Sequence, residues 1–161
     1  MSDIGGGGQR VVEPWVAAPL SKFVGEAGAR LTLIMNPSGQ VLAQHGFTRA
    51  VDVMAAAALG AAIVASTAEI ARLLDEPRFN ALNHQGSRHG IFVGGFDSPR
   101  GRLLGLVVYG SNSSMGLVQL FFEEFARDLV AACPAPETRR PVLAEDFERE
   151  LNQSLATLFR T

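Results

Sequence analysis

The chain has 161 residues and a mass of 17.1 kDa, enough for one domain that buries about two-thirds of the surface of its unfolded form. Hydrophobic residues make up 47% of it and charged residues 19%, which excludes an intrinsically disordered chain. A net charge of -2 and a pI near 5.9 supply no positive field for a phosphate backbone, so nucleic acid is not an expected partner.

Met1-Ser-Asp-Ile4 and Gly5 to Gly8 have neither the basic region nor the apolar run of a secretory signal, and Cys133 is the single cysteine. A cytoplasmic location without disulfides is expected. Residues 1–14 read as a flexible glycine-rich leader. Pro14 then opens a first helix through Trp15, Val16, Leu20, Phe23 and Val24, which ends near Gly25 to Gly28. Leu31 to Met35 is rich in β-formers, Asn36-Pro-Ser-Gly39 carries turn chemistry, and Gln40 to Gly46 returns with partial alternation, which predicts a hairpin.

Asp52 is the expected cap of a long helix from Val53 to Leu74, stopped by Pro77. Its sixteen charge-free residues, 53–68, are shorter than the roughly 20 a bilayer crossing needs, so a buried helix and no membrane insertion are expected. The first half is apolar all round and rich in alanine. Such a surface lets another element approach closely and needs covering on more than one side, for which a second subunit is one solution. Packing wholly against its own sheet is the alternative.

Phe79 to Gln85 is a weak strand, Gly90 to Phe96 a better one and Leu103 to Tyr109 a strong one, with Ser98 to Gly101 as the turn between the last two. Ser111 to Ser114 offer caps for a helix from Met115 to Ala132, in which Leu117, Phe121, Phe125 and Leu129 recur every four residues. Glu123, Glu124, Arg127 and Asp128 are expected to face water. Residues 133–142 form a proline-rich linker, and 143–161 a second amphipathic helix with Phe147, Leu151, Leu155 and Phe159 on one face. Short turns between strands favour an antiparallel α/β sandwich over a doubly wound nucleotide fold.

Chemistry-bearing motifs are absent. No G-x-G-x-x-G or P-loop follows a strand, no serine sits in G-x-S-x-G, and His45, His84, His89 and Cys133 lack the spacing of a metal site. No catalytic residue, cofactor or metal is expected. Arg88, Arg100, Arg102, Arg139 and Arg140 are candidates for contacting an acidic partner or a nucleotide supplied in trans, with nothing in the sequence to choose among them.

Three stretches, LTLIMNPSGQVLAQHG at 31–46, STAEIARLLDEPRF at 66–79 and LLGLVVYGSNSSMGLVQLFF at 103–122, resemble the roadblock/LC7 family and within it its bacterial MglB-like GTPase-activating members. Ser114-Met-Gly-Leu-Val118 is the most specific part, similar to the strand-to-helix junction of those members. The resemblance spans residues 15–132, read as the domain proper. It implies a five-stranded antiparallel sheet with helices on both faces, dimerised through the long second helix and the adjoining sheet edge. It also implies a non-enzymatic regulator of cell polarity or gliding motility. Such a regulator binds a Ras-like, MglA-like GTPase in its GTP state and rearranges the GTPase's own catalytic groups without an arginine finger. Ala58, Ala61, Ala62 and Ala65, with Thr67, are the surface this implies for the GTPase. The tail stripe Phe147, Leu151, Leu155 and Phe159 is a further partner-binding candidate, with packing on its own dimer or ordering only on binding as alternatives. A passive scaffold and a small-ligand sensor domain are the competing functions.

Overall fold

The computed structural model describes residues 8–136 and 142–159. Gly5 to Gly7 and the linker arginines Arg139 and Arg140 lie outside the described residues. Six strands, β1 (Gln9–Val11), β2 (Ala29–Met35), β3 (Val41–His45), β4 (Ala81–Gln85), β5 (Gly90–Ser98) and β6 (Gly101–Tyr109), form one antiparallel sheet in the order β1-β3-β2-β6-β5-β4. Helices α1 (Ala17–Ala27) and α3 (Met115–Ala132) cover one face and α2 (Ala50–Leu73) the other, while α4 (Val142–Leu158) follows the domain.

The sixth strand corrects the expected count of five. Gln9 to Val11, read from sequence as leader, pair with His45 to Ala43 at the outer side of β3. Three residues carry too little periodicity to announce a strand, and the neighbouring glycines mask it. Pro14 begins a 3-10 turn, Pro14–Val16, that runs into α1, and α1 ends where Gly28 takes φ +63, the left-handed cap that glycine adopts without a Cβ penalty.

The hairpin expected at Asn36 to Gly39 is present. Asn36 Oδ1 accepts from the Ser38 and Gln40 backbone N–H groups at 3.1 and 2.9 Å, and Gly39 sits at φ +86. The weak strand over Phe79 to Gln85 starts two residues later, at Ala81, as an edge strand paired on one side with β5.

The main core lies between the sheet and the α1/α3 layer. Leu20, Phe23, Ile34, Phe92, Val107, Val118, Phe122, Phe125 and Leu129 are buried there. The face of α3 differs from the one expected. Val118, Phe122, Phe125 and Leu129 point inward, whereas Leu117 is exposed and Phe121 half-buried. A strict four-residue repeat drifts about 40° per step around a helix of 3.6 residues per turn, so mixed three- and four-residue spacing is what holds one face on a flat sheet. Lys22 Nζ bridges Glu124 and Asp128 at 3.1 Å each and ties α1 to α3 at the surface.

The loop before α3 fastens both helices. Ser114 accepts from the Leu117 backbone N–H at 3.3 Å as the N-cap, while Ser113 Oγ donates to Ala27 O at the open end of α1.

Candidate partner-binding surface

Helix α2 begins at Ala50, with Arg49 as its N-cap residue and no side-chain cap; Asp52, expected to cap it, lies in the first turn and pairs with Arg49 at 3.6 Å. The helix rests on a small second core of Leu33, Met35, Ala57 and Leu104. Gly60 makes this close seat possible, because a Cβ there would stand 2.5 Å from Met35 Cε.

The expectation of a buried helix is corrected. Ala57, Gly60 and Ala71 are buried, and most of the remaining surface of α2 is open. The opposite side is a ridge of Ala55, Ala58 and Ala62 flanked by Met54 (71% exposed), Leu59 (66%), Ile70 and Leu73 (85%). With 24 residues and a mean hydropathy of 1.8 over an 18-residue stretch, α2 has the length and composition of a membrane-crossing helix, longer than the charge-free run suggested. Crossing a bilayer would require it to leave the sheet and uncover Leu33, Met35 and Leu104, an apolar surface now sealed by its small side chains.

Beside α2 runs a groove of about 290 Å³, floored by β4 to β6. Ala61, Val64, Ala65 and Thr67 of α2 face Phe79, Leu82, Val93 and Leu104 across it. Its charged groups are Arg78 and Arg102, both held by one carboxylate: Asp97 lies 3.1 Å from Arg78 Nη2 and 3.4 Å from Arg102 Nη1. The hydrogen bond from Arg78, aided by Arg102, keeps the Asp97 carboxyl below the usual carboxylate range. Gly95 lets the Arg102 guanidinium lie over β5, since a Cβ at that position would meet Arg102 Nη2 at 2.5 Å.

The five α2 residues expected to form one surface therefore divide. Ala58 and Ala62 stand on the outward ridge, whereas Ala61, Ala65 and Thr67 line the groove. The Thr67 hydroxyl donates to Ile63 O at 2.7 Å, one turn back on its own helix. Phe147, Leu151 and Leu155 on α4, and Phe159 in the turn just past its end, are all exposed. Ile70 and Leu73 belong to the helical pattern legible at the end of α2, and Leu59, eleven residues before Ile70, falls on the same face; Met54 lies off that face. Phe79, Leu82 and Val93 reach the groove only through strand pairing, which no local pattern encodes.

Two of the arginine candidates are engaged within the chain. Arg100 lies 3.5 Å from Glu13 and 6.0 Å from the centre of the Trp15 ring, and Arg102 is bound to Asp97. Among the described residues no group of three or more His, Cys, Asp or Glu is placed to hold a metal ion. The surface is built for apolar contact, with two cations at one end.

No protein-family model matches the chain, and no curated protein matches it by sequence. Solved structures do. The gliding protein MglB of Thermus thermophilus superposes with a TM-score of 0.64 at 27% identity, over 73% of this chain and 87% of that one. A structure described as MglB with tetrameric arrangement gives 0.63 at 28% identity, over 73% and 86%. A roadblock/LC7 domain from Streptomyces avermitilis gives 0.58 at 14% identity, over 68% and 89%. The fold is that of the roadblock/LC7 domain.

Proposed function

We propose that this chain, a roadblock/LC7 protein similar to MglB, is a homodimeric regulator that binds a small Ras-like GTPase in its GTP state and raises GTP hydrolysis. A second copy covers the outward ridge around Ala58 and Ala62, and the groove side of α2, with Ala61, Ala65 and Thr67, meets an MglA-like GTPase. The observation that carries this reading is the open apolar ridge of α2 on a fold shared with MglB structures at 27–28% identity.

Physical chemistry supports a regulator that acts by positioning. The two groove cations are tied to Asp97 and Arg100 to Glu13, so a free guanidinium is not what these positions offer a nucleotide. Acceleration then comes from ordering groups the GTPase already carries around the attacking water. Water contact along the outward side of α2 leaves several large apolar side chains exposed, at about 25 cal/mol per Å² of apolar surface, which is the drive for association.

Phosphate release by the cognate GTPase, measured with and without the protein, tests the proposal. Acceleration that saturates with the protein is expected. GTP-state binding with unchanged turnover would overturn the activator reading in favour of a scaffold.

A further inference from the structure

On the face of the sheet opposite α2, helix α3 packs over β5 and stops short of the edge strand, so Ala81 of β4 stays exposed beside it. The step between them is a cleft of about 350 Å³, within the size range of small-molecule sites. Its floor is aromatic. The Phe122 ring lies 5.0 Å from Phe92 and 5.8 Å from Phe96, and Phe96 is only half-buried, so ring surface is open to the cleft.

The α3 wall carries two opposite charges that do not use each other. Glu123 and Arg127 stand one turn apart, in the order that favours an i, i+4 pair, yet among the described residues neither side chain has an ion-pair or hydrogen-bond partner. One residue further on, Glu124 and Asp128 are both held by Lys22. Side chains four apart leave a helix about 5–6 Å from each other, and long ones can close from two sides on a group that bears both charges. A free α-amino acid is such a group, with an ammonium for Glu123 and a carboxylate for the planar fork of Arg127.

The inner end of the cleft adds a selection. Asn83 pairs with Phe92 in register and lies two residues from Ala81, on the same face of β4. Its Oδ1 is buried without a hydrogen-bond partner, a cost that folded proteins seldom leave standing. An O–H or N–H on a ring that enters over Phe92 meets that need. Tyrosine and tryptophan carry such a donor and phenylalanine does not.

We infer that the α3/β4 cleft binds a free aromatic amino acid with a ring donor, tyrosine or tryptophan. The ring lies on the phenylalanine floor, the backbone charges meet Glu123 and Arg127, and the ring donor serves Asn83. The site is on the opposite face from α2, so it stands or falls apart from the function proposed above.

Nuclear magnetic resonance titration of the full chain with L-tyrosine and L-tryptophan tests the site. Saturable shifts are expected in amides of residues 80–83, 92–96 and 119–127, with a Kd of about 1 mM or below, and none in 54–67 of α2. Arg127→Gln and Glu123→Gln, both at exposed positions, should leave the spectrum otherwise unchanged and weaken binding at least about tenfold each, the loss of one charge-assisted contact. L-Phenylalanine should bind several-fold more weakly than L-tyrosine. N-acetyltryptophanamide, which keeps the ring and loses both charges, should bind more weakly than L-tryptophan by more than either single variant does. Absence of saturation, shifts confined to α2, or equal binding of the uncharged amide overturns the site. Equal binding of phenylalanine and tyrosine overturns the part given to Asn83.

Discussion

The ring of Phe122 lies on bare backbone at Gly105, where the Cβ of any other residue would fall within its van der Waals envelope. Gly94, paired with Gly105 across β5 and β6, makes a matching gap, with 2.7 Å from its virtual Cβ to Phe122 Cε1. The ring has nowhere to retreat, because Phe23, Phe92, Phe96 and Phe125 surround it at centroid distances of 5.0 to 6.0 Å. Gly105→Ala should therefore destabilise the domain by about 1–3 kcal/mol, as overpacking does. At roughly 2–4 °C per kcal/mol for a chain of this size, thermal unfolding will show it as a drop of several degrees.

Ala57 and Ala62 are chemically identical and five residues apart, yet they should respond oppositely to enlargement. Ala62→Arg places a cation on the exposed ridge and should yield a folded monomer, read as an unchanged circular dichroism spectrum with halved mass in light scattering. Ala57 is 2% exposed against the sheet, and Ala57→Arg buries an unpaired charge, so loss of the cooperative melt is expected. A dimer that survives Ala62→Arg would remove the ridge from the self-association surface.

The two serines before α3 act at different ends of different helices. Ser114→Ala removes the N-cap of α3 and should cost about 1 kcal/mol. Ser113→Ala leaves the Ala27 carbonyl of α1 without its side-chain donor and should cost a similar amount. Because the residues touch separate groups, the double variant's denaturation midpoint will reveal whether the costs add or whether α1 and α3 loosen together.

Burial holds the His45 imidazole below its usual value of 6.5. The unfolded chain thus binds a proton in a window just below 6.5 where the folded chain does not, so stability rises with pH through that window and declines as the pH falls below it. His45→Gln should flatten the acid side of the stability profile in urea titrations between about pH 5 and 7, a range set by the ordinary imidazole value.

Long periodic elements and turns with fixed chemistry were legible from the residues. Asn36 to Gly39, Ser114 and the Leu103 to Tyr109 strand stand where local pattern put them. What escaped was decided by the sheet. β1 exists because β3 offers it an edge, and Phe122 rather than Phe121 turns inward because two glycines open a space beneath it. The candidate site was half readable for the same reason. Alanines marked α2 as a helix of close approach, but only its seat over Met35 divides Ala58 and Ala62 from Ala61 and Thr67.

The two margins of the sheet are unequal. On one side β1 covers β3 with only three residues; on the other, β4 offers five with no proline and no formal charge among Ala81 to Gln85. Short margins resist strand addition and long uncharged ones invite it. The sheet thus has a valence of one. Any strand that pairs with β4 uses up this single receptive margin, so growth of the sheet by strand addition stops after one partner strand and cannot continue into a fibre.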